Sequence, residues 1–345
     1  MAYTTIPKST DYFNTKLYTG NYSTNAITGV GFQPDLTWIK TRTTAGENHY
    51  LFDVIRGVTK YIHSDTSAAQ GTNAATLTTF GSDGFTVGAN NSVNKSGEPL
   101  VSWNWKANGA SVSNTAGSIN STVSVNTTSG FSIVQYTGNA SQSQTVGHGL
   151  GVAPKLIIFK SSTSADDWSI CCPSVLGVDG RLTLNTTAAN SIGDNTFWNS
   201  TAPSSTLFSI GNNPRANASG QTIIAYCFAE IPGFSKMGSY EGNGNANGIF
   251  QHLGFKPAWV LIKNTTATEA YFLYDNKRGY NGSMAALFPD EAAADAFANN
   301  IDFLSNGFKI RTAGAILNGN TTKYIYMAFA SEPLVSTNGN AATAR

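Results

Sequence analysis

The chain repeats one pattern of apolar and polar positions three times. Each copy begins with a Gly-x-x-Pro turn, continues as an apolar run, and ends at a lysine six residues after the proline (34 to 40, 154 to 160, 257 to 263). The copies occupy residues 31–40, 151–160 and 254–263. Because proline has no backbone N–H, it belongs at the first residue of a strand rather than inside one. The apolar run therefore predicts a strand buried on both faces, or the inner strand of a sandwich.

Other landmarks recur around each copy in the same order. A Tyr-x-Gly-Asn turn precedes the strand, at residues 18–21, 136–139 and 240–243. An aromatic strand with Phe85, Phe208 or Phe308 follows, and a closing strand with Trp103, Tyr226 or Tyr326 ends each copy. The phenylalanine lies 51, 54 and 51 residues after the proline (34 to 85, 154 to 208, 257 to 308), and the closing aromatic residue 18 residues later (85 to 103, 208 to 226, 308 to 326). This regular spacing predicts a unit of about 100 residues that occurs three times.

The predicted fold is all-β. Short strands between turn residues predict three tandem antiparallel β-sandwich, jelly-roll-like domains with little helix, each long enough to bury its own core. The predicted units are residues 1–106 (repeat one with a short leader), 107–129 (a Ser/Thr/Asn-rich linker), 130–231 (repeat two), 232–331 (repeat three) and 332–345 (a polar tail). A loosely held surface strand is the alternative for the linker. One helix is predicted over residues 289–298, where Pro and two acids precede alanines.

Composition fits this fold and argues against several partners. Charged residues make up 12% of the chain, and polarity comes instead from Asn, Thr, Ser and 34 glycines, which suit β-surfaces with tight turns. A net charge of +1 gives no support for nucleic-acid binding. No apolar stretch approaches the ~18 residues of a membrane span, so no membrane insertion is expected. The first residues lack the layout of a secretory signal, which predicts synthesis in a cytoplasm without export by that route.

No pattern predicts catalysis or a metal site. The cysteines Cys171, Cys172 and Cys227 cannot form a disulfide framework, and packing is the favoured interpretation of the adjacent pair over metal binding or reactivity. His148 and His252 precede the Gly-x-x-Pro turn of their repeats and are expected to bond backbone there. Nucleophile elbows, zinc helices, P-loops and dinucleotide fingerprints are missing from the sequence, and its carboxylates are too scattered for a glycosidase pair. We therefore expect no enzymatic activity, no cofactor and no metal.

The tryptophans are the candidate ligand-binding residues. Trp103 and Trp105 lie on one face of the closing strand, because residues i and i+2 of a strand point the same way. The pair could form a platform for sugar stacking or a core face repeated in the other copies, and the core face is favoured. Trp198 lies in a polar loop and is the better candidate for an exposed aromatic residue. Alignment of the repeats places three further residues together in the core: Trp38, Ile157 and Trp259.

Three segments resemble a repeat module of tailed bacteriophages, especially phages of marine bacteria and cyanobacteria. They are Thr-Val-Gly-His-Gly-Leu-Gly-Val-Ala-Pro-Lys at 145–155, Ala-Tyr-Cys-Phe-Ala-Glu-Ile-Pro-Gly-Phe-Ser-Lys at 225–236, and Gly-Phe-Lys-Pro-Ala-Trp-Val-Leu-Ile-Lys at 254–263. Relatives with this module are generally described as tail fibre or other virion surface proteins without an assigned enzymatic activity. The resemblance covers about residues 11–331. It implies a structural protein at the virion surface, assembled in the host cytoplasm, and carries over no catalytic residue.

The favoured hypothesis is a tail fibre or host-receptor-binding adhesin that recognises cell-surface glycans through Asn-, Thr- and Tyr-rich loops. A capsid or tail decoration protein without receptor binding is the alternative, and a polysaccharide-cleaving enzyme is the least favoured. Expected partners are other virion proteins and host polysaccharide. Fibres usually form homotrimers, although three repeats in one chain could replace a trimer. Fibres also usually carry a coiled-coil or shaft segment, and this sequence has no heptad run.

Overall fold

The computed structural model describes residues 4–333 of the chain. The protein is all-β, as predicted, with three antiparallel sheets of six strands, each accompanied by a smaller sheet of two or three strands. The helices in this range are single turns of four residues, and none of them could cross a bilayer. Of the predicted polar tail, residues 334–345 lie outside the described residues.

Repeat one builds the first pair of sheets after a 3-10 turn at Ser9–Asp11. Its elements are β1 (Phe13–Thr19), β2 (Asn25–Thr28), β3 (Leu36–Thr41), β4 (Tyr50–Asp53), β5 (Lys60–His63), β6 (Gly71–Thr72), β7 (Leu77–Gly81), β8 (Gly84–Val87), α1 (Asn91–Asn94) and β9 (Pro99–Trp105). The large sheet has the order β1-β9-β3-β4-β5-β6, and the small sheet has the order β2-β8-β7.

Repeat two forms the second pair of sheets, which includes two strands from the predicted linker. Its elements are β10 (Val112–Asn114), β11 (Ser121–Asn126), β12 (Phe131–Thr137), β13 (Gln144–Gly147), β14 (Leu156–Ser161), β15 (Ser169–Cys171), α2 (Pro173–Leu176), α3 (Asn195–Trp198), β16 (Leu207–Ile210), α4 (Pro214–Asn217) and β17 (Thr222–Phe228). The large sheet has the order β10-β11-β12-β17-β14-β15, and β13 pairs with β16. Residues 107–129 therefore contain paired strands, in line with the alternative of a surface strand, and are not a linker. Although their composition is polar, these residues form one edge of the large sheet. Val123 is buried there, and backbone hydrogen bonds hold the strands together.

Repeat three builds the third pair. Its elements are β18 (Ser235–Glu241), β19 (Phe250–His252), β20 (Phe255–Asn264), β21 (Phe272–Asp275), β22 (Met284–Leu287), β23 (Ala296–Ala298), β24 (Ile301–Leu304), β25 (Gly307–Ile310), α5 (Ala315–Asn318) and β26 (Lys323–Pro333). The large sheet has the order β18-β26-β20-β21-β22-β23, and the small sheet has the order β19-β25-β24.

The helix predicted over residues 289–298 does not form. The segment turns and then pairs as β23 with β22. Asp290, expected in the first turn of a helix, instead accepts a hydrogen bond from the backbone N–H of Tyr271 (3.0 Å). The backbone N–H of Asp295 donates to the carbonyl of Arg42 in repeat one (2.7 Å). These tertiary contacts outweigh helix propensity, which is worth only tenths of a kcal/mol per residue for most residue types.

The strand of the repeated pattern is buried on both faces, as predicted. In β14, Ile157 and Phe159 pack between the two sheets of repeat two. Leu156 and Ile158, on the other face, belong to a core cluster that contains residues from all three repeats. The large sheets therefore share an apolar interior, and the expectation that each repeat buries a core wholly of its own is wrong. The division of the chain into three domains stays a prediction.

Strand pairing corrects the alignment of the repeats by one residue. The registers pair Trp38 with Trp103, Ile158 with Tyr226 and Leu261 with Met327, and two residues away they pair Leu36 with Trp105, Leu156 with Phe228 and Trp259 with Phe329. The predicted alignment of Trp38 and Trp259 with Ile157 is therefore wrong. In repeat three the observed pairing of the closing strand also differs by one residue from the predicted alignment. Met327, and not Tyr326, therefore occupies the position equivalent to Trp103 and Tyr226. A shift of one residue turns a side chain to the opposite face of a sheet.

The three repeats contact one another in a closed ring. In each contact, a backbone N–H near the outer edge of one large sheet donates to a carbonyl at the end of the Gly-x-x-Pro strand of another repeat. These hydrogen bonds run from Gln70 to Ser162 (2.9 Å), from Asn190 to Thr265 (2.9 Å) and from Asp295 to Arg42 (2.7 Å). Repeat one thus contacts repeat two, repeat two contacts repeat three, and repeat three contacts repeat one. Three copies of one domain with cyclic symmetry would show the same closure.

A buried asparagine fixes each Tyr-x-Gly-Asn turn. The three asparagines are Asn94, Asn217 and Asn318. In repeat two, Asn217 Oδ1 accepts from the N–H of Asn139, and Nδ2 donates to the carbonyls of Ser141 and Gly211 (2.8 Å in each case). A Cβ added at Gly138 would lie 2.3 Å from a neighbouring carbonyl oxygen, so the turn requires glycine. The Tyr-x-Gly-Asn motif therefore has a structural role in forming this turn.

Replacing Asn217 by alanine is expected to destabilise the protein by at least ~2 kcal/mol, because buried backbone groups lose their partners at about 1–3 kcal/mol each. The matched control is Asn212→Ala, at an exposed asparagine of the same loop, with an expected change within ~0.5 kcal/mol. Urea unfolding of both variants measures the difference. Equal unfolding midpoints would show that the buried amide does not stabilise the turn.

Candidate functional site

Trp103 and Trp105 lie in the core. Trp103 has no exposed surface and Trp105 is 2% exposed. The Nε1–H of Trp103 donates to Asp275 Oδ2 of repeat three (2.9 Å), and the ring of Trp105 lies edge-on to Trp259 at 5.7 Å between centroids. The core-face interpretation is correct for this pair, and the two rings are not a platform for sugars.

Trp198 is also buried, so its predicted exposure is wrong. The residue ends the one-turn helix α3, which Asp194 caps by accepting from the N–H of Thr196 (3.1 Å). This turn places the indole against Phe159, with 4.7 Å between ring centroids, and its Nε1–H donates to the Gly180 carbonyl (3.1 Å). The polar residues around Trp198 suggested an exposed loop, whereas the capped turn directs the ring inward.

The histidines and cysteines form no reactive cluster. His148 is buried and accepts from the backbone N–H of Leu150 (3.2 Å), as expected for a turn histidine, whereas His252 is exposed. Burial raises the pKa of the thiols of Cys171, Cys172 and Cys227, which keeps them protonated and unreactive. Within residues 4–333, no group of three or more His, Cys, Asp or Glu side chains is placed to hold a metal ion.

Buried ion pairs mark two contacts between repeats. They are Asp53–Arg56 (2.5 Å) in repeat one and Asp275–Arg278 (2.6 Å) in repeat three. An aromatic residue of another repeat donates to each carboxylate: Tyr226 to Asp53 at 2.8 Å, and Trp103 to Asp275 at 2.9 Å. At the third contact the equivalent positions hold Cys172 and Met327, both buried. Both pairs are buried, so they are closed to a substrate, and each accepts a hydrogen bond across a contact between repeats.

The lysines that end the repeated strands are buried as well. They are Lys40, Lys160 and Lys263. Two of these ammonium groups reach another repeat: Lys160 Nζ donates to the Ser67 carbonyl (3.2 Å) and Lys263 Nζ to the Thr187 carbonyl (3.1 Å). Burial lowers the pKa of each lysine to about 8. These lysines bind backbone at the contacts of the ring and are not exposed to a ligand.

A side-chain oxygen, half-buried in repeats one and two and buried in repeat three, caps the strand after the repeated pattern. Asp65 accepts from the N–H of His49 (3.2 Å), Asn185 from that of Trp168 (2.8 Å), and Asp290 from that of Tyr271 (3.0 Å). Burial raises the pKa of Asp65 to about 6 and that of Asp290 to about 7. Repeat two fills the position with the neutral Asn185. The fold thus needs an acceptor there and not a charge.

Asp290→Asn is expected to stabilise the protein at pH 8 and to leave its stability nearly unchanged at pH 4. Because its folded-state pKa is raised to about 7 by burial, Asp290 contributes stability that is lost as the pH rises from about 4 to about 7. Asparagine does not titrate, so the melting temperature at pH 8 should rise by at least ~2 °C. Thermal melts at pH 4, 6 and 8 measure this, with the exposed Glu241→Gln as control. A lower melting temperature at pH 8 would contradict it.

Two open cavities are candidates for ligand binding. The larger, about 640 Å³, lies between repeats two and three and is lined by Lys155, Glu230, Lys236 and His252 among others. Two of these four side chains already have partners within the protein. Lys236 Nζ donates to the His252 carbonyl (3.0 Å), and Glu230 Oε1 accepts from the N–H of Met237 (2.9 Å).

The second cavity, about 400 Å³, lies in repeat three beside Tyr280. We call it the Tyr280 cavity. Its lining includes Lys256, Asn276, Tyr280, Asn281, Met284 and Phe303. Tyr280 is 73% exposed, whereas Met284 and Phe303 are buried. The cavity therefore combines an open aromatic ring with apolar and amide groups.

Hydrogen bonds hold the turn that carries Tyr280. The N–H of Ser283 donates to the Tyr280 carbonyl (2.8 Å). The amide of Asn281 pairs with the backbone of Phe303, donating to its carbonyl (3.0 Å) and accepting from its N–H (2.8 Å). Gly282, whose φ is 96°, provides the left-handed conformation of the turn. The tyrosine is thus presented from a fixed backbone.

Sequence reasoning missed Tyr280, although the repeats contained a signal for it. The Arg-Gly pair that precedes it recurs in repeat one, so the residues that follow the glycine can be compared. They are Val58 in repeat one and Tyr280 in repeat three. An aromatic residue thus replaces an aliphatic one at this exposed position, a difference that the shared fold does not require.

The fold and these sites define an all-β, β-sandwich-like protein in which three repeated pairs of sheets share a core. The chain belongs to the family described as a domain of unknown function (DUF7483), whose model matches residues 8–333. The matched range includes all three repeats, so the family unit is the complete ring rather than one repeat. Comparisons with curated proteins and with solved structures found no match.

Proposed function

We propose that this protein is a structural component of a tailed-phage virion and acts as a tail fibre or host-receptor-binding adhesin for cell-surface glycans. The observation that carries the proposal is an exposed tyrosine at an open cavity, presented by a rigid β-scaffold. Binding residues are commonly found on loops positioned by such scaffolds. The resemblance to phage surface proteins supplies the biological context. The proposal includes no catalytic step.

The closed ring supports a place at the virion surface. Tail fibres usually present three chains around an axis, and here three repeats within one chain close the corresponding contacts. In this proposal the single chain takes the place of a homotrimer, and its remaining partners are other virion proteins and the host polysaccharide. A chain that closes its own ring can be mounted on the particle as one unit.

Binding and infection experiments test this proposal. The purified protein should bind cells of the host bacterium and their extracted surface polysaccharide, and in excess it should reduce phage adsorption. Cryo-electron microscopy of the virion should locate it at the tail in low copy number. A protein that binds neither cells nor polysaccharide and leaves adsorption unchanged would overturn the adhesin function.

A decoration protein of the capsid or tail is the second candidate, favoured by the extensive buried contacts between repeats. Three large sheets around one core, with buried hydrogen bonds from one repeat to the ion pairs of another, make a body suited to mechanical reinforcement. This function predicts many copies over the head or tail lattice and fragile particles when the gene is deleted. Particles of normal resistance to heat and osmotic shock after deletion would exclude it.

A further inference from the structure

Building on the proposed adhesin function, we infer that the Tyr280 cavity binds a neutral sugar residue of the host polysaccharide, with the Tyr280 ring as its stacking surface. The cavity volume of about 400 Å³ lies within the range of ~300–1,000 Å³ typical of small-molecule sites. It is therefore large enough for one or two sugar residues of a chain that continues into solvent.

The exposed ring is not explained by packing. The equivalent residue of repeat one, Val58, is 39% exposed, whereas Tyr280 is 73% exposed. Repeat one thus folds with a valine at this position, and the larger ring of Tyr280 adds surface without adding core. An exposed tyrosine combines an apolar face with a polar tip. The apolar C–H face of a sugar ring fits that surface.

Polar groups of the cavity fit hydroxyl groups. Asn276 lines the cavity, and its Oδ1 is buried without a hydrogen-bond donor among the described residues. The backbone of Asn276 is fixed, because its N–H donates to the Ala258 carbonyl (2.9 Å). A buried acceptor without a partner is costly. Because Asn276 Oδ1 has no free surface, a sugar hydroxyl would donate to it only after the side chain rotates towards the cavity.

The charge balance favours a neutral sugar over an acidic one. Among the described residues that line the cavity, Lys256 alone is charged. Lys256 lies opposite Glu332 in the pairing of β20 with β26, so a negative group is close to it. Carboxylate- or phosphate-specific sites are usually built from several cationic groups or from arginine pairs. The Tyr280 cavity lacks that arrangement and matches uncharged hydroxyl groups.

Titration calorimetry and saturation-transfer NMR with the full chain test the inference. The probes are polysaccharide extracted from the host, dextran and galactomannan as neutral polymers, and alginate as a polyuronate. Tyr280→Ala should weaken polysaccharide binding about tenfold or more. Tyr280→Phe retains the ring, and its dissociation constant should stay within ~3-fold of the wild-type value. Asn276→Ala should weaken binding severalfold. The matched control is Tyr22→Ala, at a tyrosine that is 49% exposed outside the cavity, and it should bind like the wild type.

The outcomes separate the site from the function. Unchanged binding by Tyr280→Ala, with an unchanged melting temperature, would overturn the Tyr280 site and leave the adhesin function standing. Wild-type protein that binds neither the host polysaccharide nor host cells would overturn the adhesin function itself. Tight, salt-sensitive binding of alginate together with no binding of neutral polymers would overturn the neutral class of ligand.

Discussion

Replacing Arg278 by alanine is expected to destabilise the protein by about 3–5 kcal/mol, the usual cost of removing one partner from a buried ion pair. The Arg278 side chain has no exposed surface and forms ion pairs with Asp275 and Asp295, both at 2.6 Å. Its guanidinium also lies 5.4 Å from the ring centroid of Trp103 in repeat one. The substitution leaves the buried Asp275 carboxylate without its cation, whereas Asp295 keeps its ion pair with Arg42 of repeat one (2.8 Å). It also weakens the contact that closes the ring.

Chemical denaturation measures this effect, and Arg311→Ala is the matched control. Arg311 pairs with Asp302 at 3.0 Å, but its side chain is 39% exposed. Exposed ion pairs contribute about 0–1 kcal/mol, so the control should unfold near the wild-type midpoint. If both variants lost equal stability, burial of the Arg278 pair would not be what stabilises this contact.

Phe329→Ala is expected to destabilise the protein by about 3–5 kcal/mol and to loosen all three repeats together. Phe329 is 1% exposed. Its ring lies 5.1 Å from Phe13 and 5.7 Å from Trp105 in repeat one, and 5.9 Å from Phe228 in repeat two. The cavity left by its removal would therefore border more than one repeat.

Thermal unfolding followed by tryptophan fluorescence and by far-ultraviolet circular dichroism measures this effect. The control is Phe297→Ala in the same repeat, where the phenylalanine is 57% exposed and the expected change is within ~0.5 kcal/mol. For Phe329→Ala the two signals should remain superimposable at a lower midpoint. Separate transitions in the variant would contradict a core shared by the repeats.

Much of the fold could be predicted because its signals are local. A proline followed by an apolar run places the start of β3 and β14, and turn residues separate the strands. In repeat three the prediction is wrong, because β20 begins before Pro257 and takes the proline in at a register shift. Three copies of this order were sufficient to predict an all-β protein. The helix predicted at residues 289–298 does not form because Asp290 and Asp295 have hydrogen-bond partners elsewhere in the fold. Local helix propensity takes no account of such partners. For residues 107–129 the linker interpretation was wrong and the alternative of a surface strand was closer, because backbone pairing holds β10 and β11 and a polar composition does not reveal such pairing.

The packing of the repeats and the candidate site could not be predicted in the same way. Which face of β14 meets the other repeats depends on register, and a shift of one residue reversed the assignment of Ile157. Trp198 was assigned to the surface from its polar neighbours, while a capped turn buries it. Comparison of the repeats shows that Tyr280 replaces a valine, but its role as a candidate depends on its exposure and on the cavity beside it. Both properties arise from the tertiary structure.

Hydrogen exchange of the intact protein, resolved by mass spectrometry, tests the shared core most directly. If the three repeats share one interior, the central strands β3, β14 and β20 open in the same global event. Their slowest amides should then exchange with one common free energy of opening, and Phe329→Ala should lower that value equally in all three strands. Three distinct free energies, with the variant affecting repeat three alone, would show three independent domains and contradict the closed ring.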